Sequence, residues 1–314
     1  MTSVRVRVPA TSANLGPAFD CAGLALGLHD DVEFTVTGGG LEVVVRGEGA
    51  DGLPTDESHL VVRAFRTACA RLGWTPPGLR VVAENGIPQG RGMGSSAAAV
   101  VAGVLGAWTL CPDVATVDVE AVLRLTTELE GHPDNVAACL LGGATLSWMS
   151  ADGARAVRLE VEPSVAPIVL VPGDTLSTHA ARGLLPEAVP HGDAAHAAGR
   201  GALLVHALTQ DPGLLLDATE DRLHQRQRAG AMPASLALVD RLRAAGYAAV
   251  VSGAGPSVLV LARRNGDGAA SDPAAGSDVR GVTALVPAGW RVLPLAVDVL
   301  GARVVDGDLQ VSSR

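Results

Sequence analysis

The pattern of apolar and polar positions predicts strands and helices that interleave along the whole chain. Val4, Val6 and Val8 alternate with arginines, which predicts a half-buried strand that ends at Pro9. Residues 34–36 and 41–45 flank a run of three glycines and predict a hairpin. Further strands are expected at 79–83, 144–148, 156–161, 168–171, 248–251 and 258–261, and helices at 60–72, from about 95, at 119–130, 196–208 and 236–245.

This interleaving indicates a two-domain α+β or α/β chain. A polar, turn-rich segment at 150–154 is expected to separate the domains, which gives 1–155 and 156–314. The stretch NGDGAASDPAAGSD at 265–278 is low in complexity and predicts a loop.

Composition excludes several classes of protein. The chain of 314 residues has a net charge of −9 and only 3% aromatic residues, which disfavours a nucleic-acid partner. It contains no lysine, which excludes a Schiff-base lysine and a Walker-type phosphate lysine. Its four cysteines are widely spaced, and no apolar run is long enough for a membrane span. We therefore expect a cytoplasmic protein without a membrane partner.

The strongest local signal is the string PQGRGMGSSAA, from Pro88 to Ala98. Glycines let backbone N–H groups turn inward, and a helix that begins at the serines adds free N–H donors and a positive dipole end. Together these features favour a cradle for a triphosphate. The alternative is an ordinary glycine turn with a serine N-cap.

A second signal is the string ELEGHPDN, from Glu128 to Asn135, at the end of a predicted helix and in the turn after it. Carboxylates there suit Mg²⁺, which takes one or two carboxylates together with phosphate oxygens. The alternative is a solvated helix end with an Asx turn.

Three weaker signals involve polar groups beside predicted strands and turns. Residues 11–20 follow the first strand, and residues 252–256 form a glycine-rich turn that either closes over a nucleotide or is only tight. Arg182, beside Ser177 and Thr178, and Arg228, beside His224, have the chemistry for carboxylate recognition, although each read alone is more typical of a surface arginine. The other histidines, His59 among them, are interpreted as structural.

Taken in order, four strings resemble the GHMP small-molecule kinases. They are VRVPATSANLGPAFD, PQGRGMGSSAA, ELEGHPDNVAACLLGG and VSGAGPSVLVL, and they run from Val4 to about Leu261. The resemblance implies a two-domain α+β fold with an N-terminal ATP-binding α/β domain and a C-terminal ferredoxin-like domain. It is strongest to the members of the family that phosphorylate L-homoserine in threonine biosynthesis.

The resemblance also implies which residues bind each ligand. ATP would lie on Pro88, Gln89, Gly90, Arg91, Gly92, Met93, Gly94, Ser95, Ser96, Ala97 and Ala98. Mg²⁺ would bind Ser95 or Ser96 and a helix glutamate, with Glu130 preferred over Glu128. L-Homoserine would bind Asn14, Asp20, His132, Asn135, Thr178, Arg182 and Arg228.

The expected reaction is transfer of the ATP γ-phosphoryl group to the L-homoserine hydroxyl. Asp134, His132 and Asp20 are the candidate catalytic residues, and the need for a base stays open. The resemblance is also compatible with a homodimer. Two alternatives are a GHMP kinase for another carboxylate-bearing amino alcohol and a non-catalytic sensor that binds ATP and a metabolite.

Overall fold

The computed structural model describes residues 2–264 and 278–305, so the predicted loop at 265–278 lies outside the described residues except for Asp278. The strands are β1 (Ser3–Ala13), β2 (Ala22–Thr37), β3 (Gly40–Gly47), β4 (Gly78–Asn85), β5 (Ala144–Ser150), β6 (Gly153–Leu159), β7 (Val165–Val171), β8 (Ala249–Val251), β9 (Val258–Arg263), β10 (Arg291–Pro294) and β11 (Arg303–Val304). The helices are α1 (Leu60–Arg71), α2 (Ser95–Leu110), α3 (Val119–Glu130), α4 (Pro133–Leu141), α5 (Thr178–Arg182), α6 (His191–Thr209), α7 (Leu215–Ala218), α8 (Pro233–Ala244) and α9 (Val279–Ala284), with 3₁₀ turns at Pro212–Leu214 and Arg226–Ala231.

The first sheet has the order β11-β1-β2-β4-β3, and β5 joins it through β2 while β6 pairs with β5. The predicted hairpin between β2 and β3 is wrong, because β4 lies between them and β3 runs parallel to β4. β4 buries more of its side chains than β3, of which only Val43 is buried. The more apolar strand therefore takes the interior position and β3 the edge.

The first strand does not end at Pro9, as the sequence pattern predicted. Its pairing with β2 continues to Ala13, and the register shifts between Pro9 and Ala10. Such an irregularity accommodates a residue that has no backbone N–H to donate. The continued strand brings Thr11 and the residues after it to the site described below.

Helices cover this sheet, and α2 lies at their centre. Most of its side chains are buried, and it packs against α1, α3, α4 and β1. The turn predicted after Glu130 is only two residues long. Helix α4 begins at Pro133, with His132 at its N-cap. Proline suits the first helical position, since its missing N–H would have no partner there.

The second sheet is antiparallel and has the order β10-β7-β9-β8. If β7 to β10 are numbered 1 to 4, the order in the sheet is 4-1-3-2, and helices follow the first and third of these strands. This confirms the ferredoxin-like arrangement. β6 crosses the predicted boundary at 155 and remains paired with β5, and β11 returns to pair with β1. The division at 155 stays a prediction. Over the described ranges, the longest apolar helices fall short of what a bilayer crossing requires.

Candidate active site

A cavity of about 310 Å³ lies between the two sheets' helices and loops and gathers most of the predicted site residues. Predicted residues that line it are Asn14, Gln89, Gly90, Arg91, Gly92, Met93, Gly94, Ser95, Ser96, Ala98, Glu130, His132, Asp134, Asn135, Thr178, Arg182 and Arg228. Pro88 and Ala97 are buried and do not line the cavity. Asp20 does not line the cavity either, but it binds Arg182, which does.

The glycine loop at 88–94 is held in shape by surrounding protein. Gly92 and Gly94 have φ angles of 68° and 69°, which side chains disfavour. A Cβ on Gly92 would overlap the Ser252 carbonyl oxygen, and one on Gly94 would overlap the Thr11 hydroxyl. The sequence argument attributed these glycines to close approach of phosphates. The structure adds that protein packing alone excludes a side chain at both positions.

Helix α2 begins directly at this loop. Gly94 is its N-cap and brings no capping side chain, so the first turn is left without a side-chain acceptor. Free N–H groups and the dipole of a long helix favour an anion at such an end. The arrangement can therefore hold phosphate groups through backbone donors.

The glycine-rich turn at 252–256 packs against this loop. Ser252 Oγ donates to the Gly92 carbonyl at 2.6 Å, and Asn14 Nδ2 donates to the Gly253 carbonyl at 3.0 Å. The Arg91 guanidinium donates to the carbonyls of Pro172 and Gly173. The loop is thus tied to the second half of the chain, and the charge of Arg91 already has backbone partners.

The two glutamates that the sequence left as alternatives occupy different surroundings. Ser96 Oγ donates to Glu130 Oε1 at 2.5 Å, which puts this carboxylate at the start of α2. Burial raises the pKa of Glu130, against the effect of the Ser96 hydrogen bond. Glu128 forms an exposed ion pair with Arg71 at 2.8 Å. The geometry favours Glu130 over Glu128 as a group that faces a ligand.

The start of α4 carries a second set of linked polar groups. His132 Nδ1–H donates to Asp134 Oδ1 at 2.6 Å, and the Asn135 N–H donates to the same oxygen at 2.7 Å. Thr11 Oγ1 donates to Asn135 Oδ1 at 2.7 Å. Burial alone would lower the pKa of His132, but the hydrogen bond to Asp134 and the charges of Asp134 and Glu130 outweigh it and raise that pKa.

Asp20 and Arg182 face each other across the rim of the cavity. Arg182 Nη1 and Nη2 donate to the two Asp20 oxygens at 2.9 and 2.6 Å. Asn14 Oδ1 accepts from the Asp20 N–H, and both residues have positive φ angles. Thr178 is exposed at the start of α5, which Ser177 caps. Both residues are expected from the sequence to bind L-homoserine, whereas here they bind each other.

Arg228 is the largest fully buried side chain of the described ranges, with 1% exposure. Its Nη1–H donates to His224 Nδ1 at 3.3 Å, and His224 Nε2–H donates to the Gly16 carbonyl at 2.8 Å. In the described part of the chain no carboxylate forms a salt bridge with it, and its Nε has no partner. Burial lowers the pKa of Arg228, and the charge of Arg182 adds to this.

Sequence reasoning missed two polar groups at the other end of the cavity. His59 is buried, and neither ring nitrogen has a partner among the described residues. Asp30 accepts from the N–H groups of Gly86 and Ile87, and burial raises its pKa to about 6. Nothing in their spacing along the chain indicated this position, because the fold brings them together with apolar residues such as Val61.

Comparison with known proteins agrees with the two halves of this architecture. The model of the GHMP kinases N terminal domain matches residues 59–143, and that of the GHMP kinases C terminal matches residues 203–274. The chain is 56% identical to the homoserine kinase of Streptomyces avermitilis over 305 residues, which cover 96% of each chain. It is 52% identical to the homoserine kinase of Clavibacter michiganensis subsp. michiganensis, with 96% of this chain and 93% of that one covered.

A solved structure is similar over nearly the whole chain. The crystal structure of homoserine kinase from Cytophaga hutchinsonii superposes with a TM-score of 0.83 at 27% sequence identity. The match covers 97% of this chain and 98% of the other. The fold, with both of its sheets, therefore has a counterpart of known architecture.

Proposed function

The chain belongs to the homoserine kinases of the GHMP kinase family, and on that premise we propose how its residues phosphorylate the hydroxyl of L-homoserine with ATP. The observation that carries the proposal is that one cavity joins a cradle of backbone donors to a buried arginine without a carboxylate partner among the described residues. The first suits a triphosphate, and the second suits the carboxylate of an amino acid. The product of this reaction is O-phospho-L-homoserine.

The loop at 88–94 and the first turn of α2 bind the phosphates. Because the chain has no lysine, the positive field comes from backbone N–H groups, arginines and a bound cation. Phosphoryl transfer depends chiefly on positioning and on neutralising charge, so preformed backbone donors serve this chemistry directly. The packing against Ser252 and Thr11 keeps these donors from moving.

Ser96 and Glu130 fit a hard divalent cation such as Mg²⁺. Both side chains offer oxygen ligands, and Ser96 Oγ lies 2.5 Å from Glu130 Oε1. Burial destabilises the charged form of the Glu130 carboxylate, and a nearby cation would reverse this effect. Ser96 and Glu130 would hold the Mg²⁺, which would supply charge neutralisation at the phosphates. Ser95 stands one residue from Ser96 at the same helix end and is the other candidate hydroxyl.

The amino-acid end of the cavity has charges of both signs. Arg228 and Arg182 bind the homoserine carboxylate, and Asp20 binds the ammonium group. Asp20 and Arg182 hold each other in the free protein, and the zwitterionic end of the substrate offers each a replacement partner. Arg228 has no such internal partner among the described residues and is ready for an anion. Asn14, Asn135 and Thr178 complete the wall.

His132 adds positive charge near the reacting groups. Its raised pKa keeps the imidazolium form to a higher pH than for an ordinary histidine, and Asp134 fixes the ring through Nδ1. His132 then supports charge on the transferring phosphoryl group. Because Asp20 binds the ammonium group, Asp134 is the remaining candidate to accept the hydroxyl proton.

A substrate screen with coupled detection of ADP tests the proposal. L-Homoserine is expected to give ATP-dependent turnover, whereas 3-aminopropanol, which has the hydroxyl and the ammonium but no carboxylate, is expected to be a poor substrate. Equal efficiency with both compounds would contradict the role of the arginines. Binding of ATP and homoserine without turnover would instead support the sensor alternative.

A further inference from the structure

The ring of Phe19 lies beside both arginines of the amino-acid end. The Cζ atoms of Arg182 and Arg228 lie 5.5 and 5.3 Å from its centroid, and the His224 ring lies 5.0 Å from it. Phe19 is partly buried, and it does not line the cavity. It is thus a neighbour of the substrate-facing groups without being one itself.

Bringing these two guanidinium groups to one ring has an electrostatic cost. Both carry positive charge, Arg228 is fully buried, and its only hydrogen-bond partner in the described residues is the neutral His224 ring. Asp20 offsets the charge of Arg182, and the charges of Asp20, Asp221 and Asp134 favour the Arg228 guanidinium, but none of them forms a salt bridge with Arg228 among the described residues. Before a substrate carboxylate binds, a group with negative potential next to both guanidinium groups lowers the cost of placing them together.

The face of an aromatic ring supplies such a potential, because its quadrupole attracts cations within about 6 Å of the centroid. Both guanidinium carbons lie inside that range. An aliphatic side chain of similar size would fill the space without attracting either group. The geometry therefore fits an electrostatic role for Phe19 in addition to packing.

We infer that Phe19 is a positioning residue that holds Arg182 and Arg228 together at the carboxylate end of the cavity. The inference rests on the proposed function, because it takes the two arginines as the carboxylate site. Phe19 acts through them and does not touch the substrate. It contributes to recognition of L-homoserine and not to recognition of ATP.

Steady-state kinetics of Phe19→Leu and Phe19→Tyr test the inference. Phe19→Leu keeps an apolar side chain but loses the ring face, so the KM for L-homoserine should rise about five- to thirtyfold, as for loss of desolvated cation–π contacts. The KM for ATP should stay within about twofold of the unaltered protein. Phe19→Tyr keeps the ring face and should retain most of the affinity.

Two comparisons separate this role from a loss of stability. Phe65→Leu removes a ring that stacks on Phe34 in the interior and forms no cation–π pair with an arginine in the described structure, so it should lower the melting temperature and leave the KM for L-homoserine unchanged. For 3-aminopropanol, which has no carboxylate, Phe19→Leu should leave kcat/KM unchanged.

An unchanged KM for L-homoserine in a folded Phe19→Leu variant would overturn the inference and leave the proposed function intact. A rise in KM for Phe19→Tyr as large as for Phe19→Leu would also overturn it. Absence of homoserine turnover by the unaltered protein would overturn the proposed function itself, and this inference with it.

Discussion

The two ends of the cavity bind an anion in different ways in the mechanism that we propose. At the ATP end, backbone N–H groups would hold the phosphates, and Gly92 and Gly94 are enclosed by Ser252 and Thr11. At the amino-acid end, the side chains of Arg182 and Arg228 would hold the carboxylate. A backbone cradle depends on shape, so one added methyl group should displace all of its N–H donors together. A side-chain site depends on charge, so each charged group that is removed should weaken binding by its own amount.

The largest effect is expected for Gly94→Ala. The new methyl group would overlap the Thr11 hydroxyl at a position whose φ is already unfavourable for alanine, so the loop has to move. We expect the KM for ATP to rise by about a hundredfold or more, as when several oriented phosphate donors are lost together. Nucleotide binding by calorimetry and kinetics with saturating homoserine measure this.

Gly73→Ala is the matched control. Gly73 has a φ of 66°, close to that of Gly94, but a Cβ there would meet no atom within 4 Å. It should therefore cost about 1 kcal/mol of stability from backbone strain and leave the KM for ATP unchanged. Normal ATP binding by a folded Gly94→Ala variant would remove the contrast between the two ends.

The second effect concerns the arginines. Arg228→Ala removes a buried charged donor and should raise the KM for L-homoserine about 10- to 150-fold, which corresponds to about 1.5–3 kcal/mol for a charge-assisted hydrogen bond. Arg182→Ala should cost less, because Arg182 is partly exposed and must first leave Asp20. The KM for ATP should change little in both variants.

Arg226→Ala is the control for these variants. Arg226 lies in the same 3₁₀ turn as Arg228, but it is exposed and pairs with Asp240. Its loss should leave both Michaelis constants within about twofold, as expected for a surface ion pair. Lysine at position 228 should restore only part of the affinity, since it lacks the planar fork. Equal losses for Arg226→Ala and Arg228→Ala would contradict a specific carboxylate site.

The third effect lies where the two ends meet. Glu130→Gln keeps the shape of the side chain and the possibility of a Ser96 hydrogen bond but removes the charge that suits Mg²⁺. Turnover at saturating Mg²⁺ should fall at least about tenfold, the loss of one good electrostatic contact. Glu128→Gln, which breaks only the exposed pair with Arg71, is the control and should be nearly silent. The reverse result would assign the ligand to Glu128.

The sequence predicted the local structure of residues 88–98 better than the contacts among the residues of the amino-acid end, for a physical reason. A backbone cradle is made of consecutive residues, so the glycines and serines of 88–98 and the start of α2 could be recognised from their order alone. Asp118 and Gly131 likewise delimit α3 as their residue types indicate. The backbone geometry of such segments is determined by the types of their own residues.

The amino-acid end is assembled across the fold, and its contacts could not be predicted from spacing. Asp20 and Arg182 are far apart in the chain, and their pairing depends on how the two halves pack. The same holds for His59, whose burial beside the cavity follows from the position of α1. The β2–β3 hairpin failed similarly, because the sequence pattern does not reveal that β4 would insert between them.

The smallest effect, and the sharpest test of how the transferring group is stabilised, concerns His132 and Asp134. Since the pKa of His132 is raised above its usual value of about 6.5, the imidazolium is present below the raised pKa and is lost as pH rises through it. If this cation supports transfer, kcat/KM should fall along an alkaline limb above pH 6.5. Asp134→Asn removes the charge that raises the pKa, so the limb should move to lower pH.

His132→Gln should abolish that limb and leave a lower activity that is flat in this range. At a pH below both limbs, where His132 is protonated in either background, Asp134→Asn should keep most of its activity. A pH profile of kcat/KM for the three proteins measures all of this. If Asp134→Asn instead loses activity equally at every pH, Asp134 acts directly on the hydroxyl proton, and the role assigned to the His132 charge is wrong.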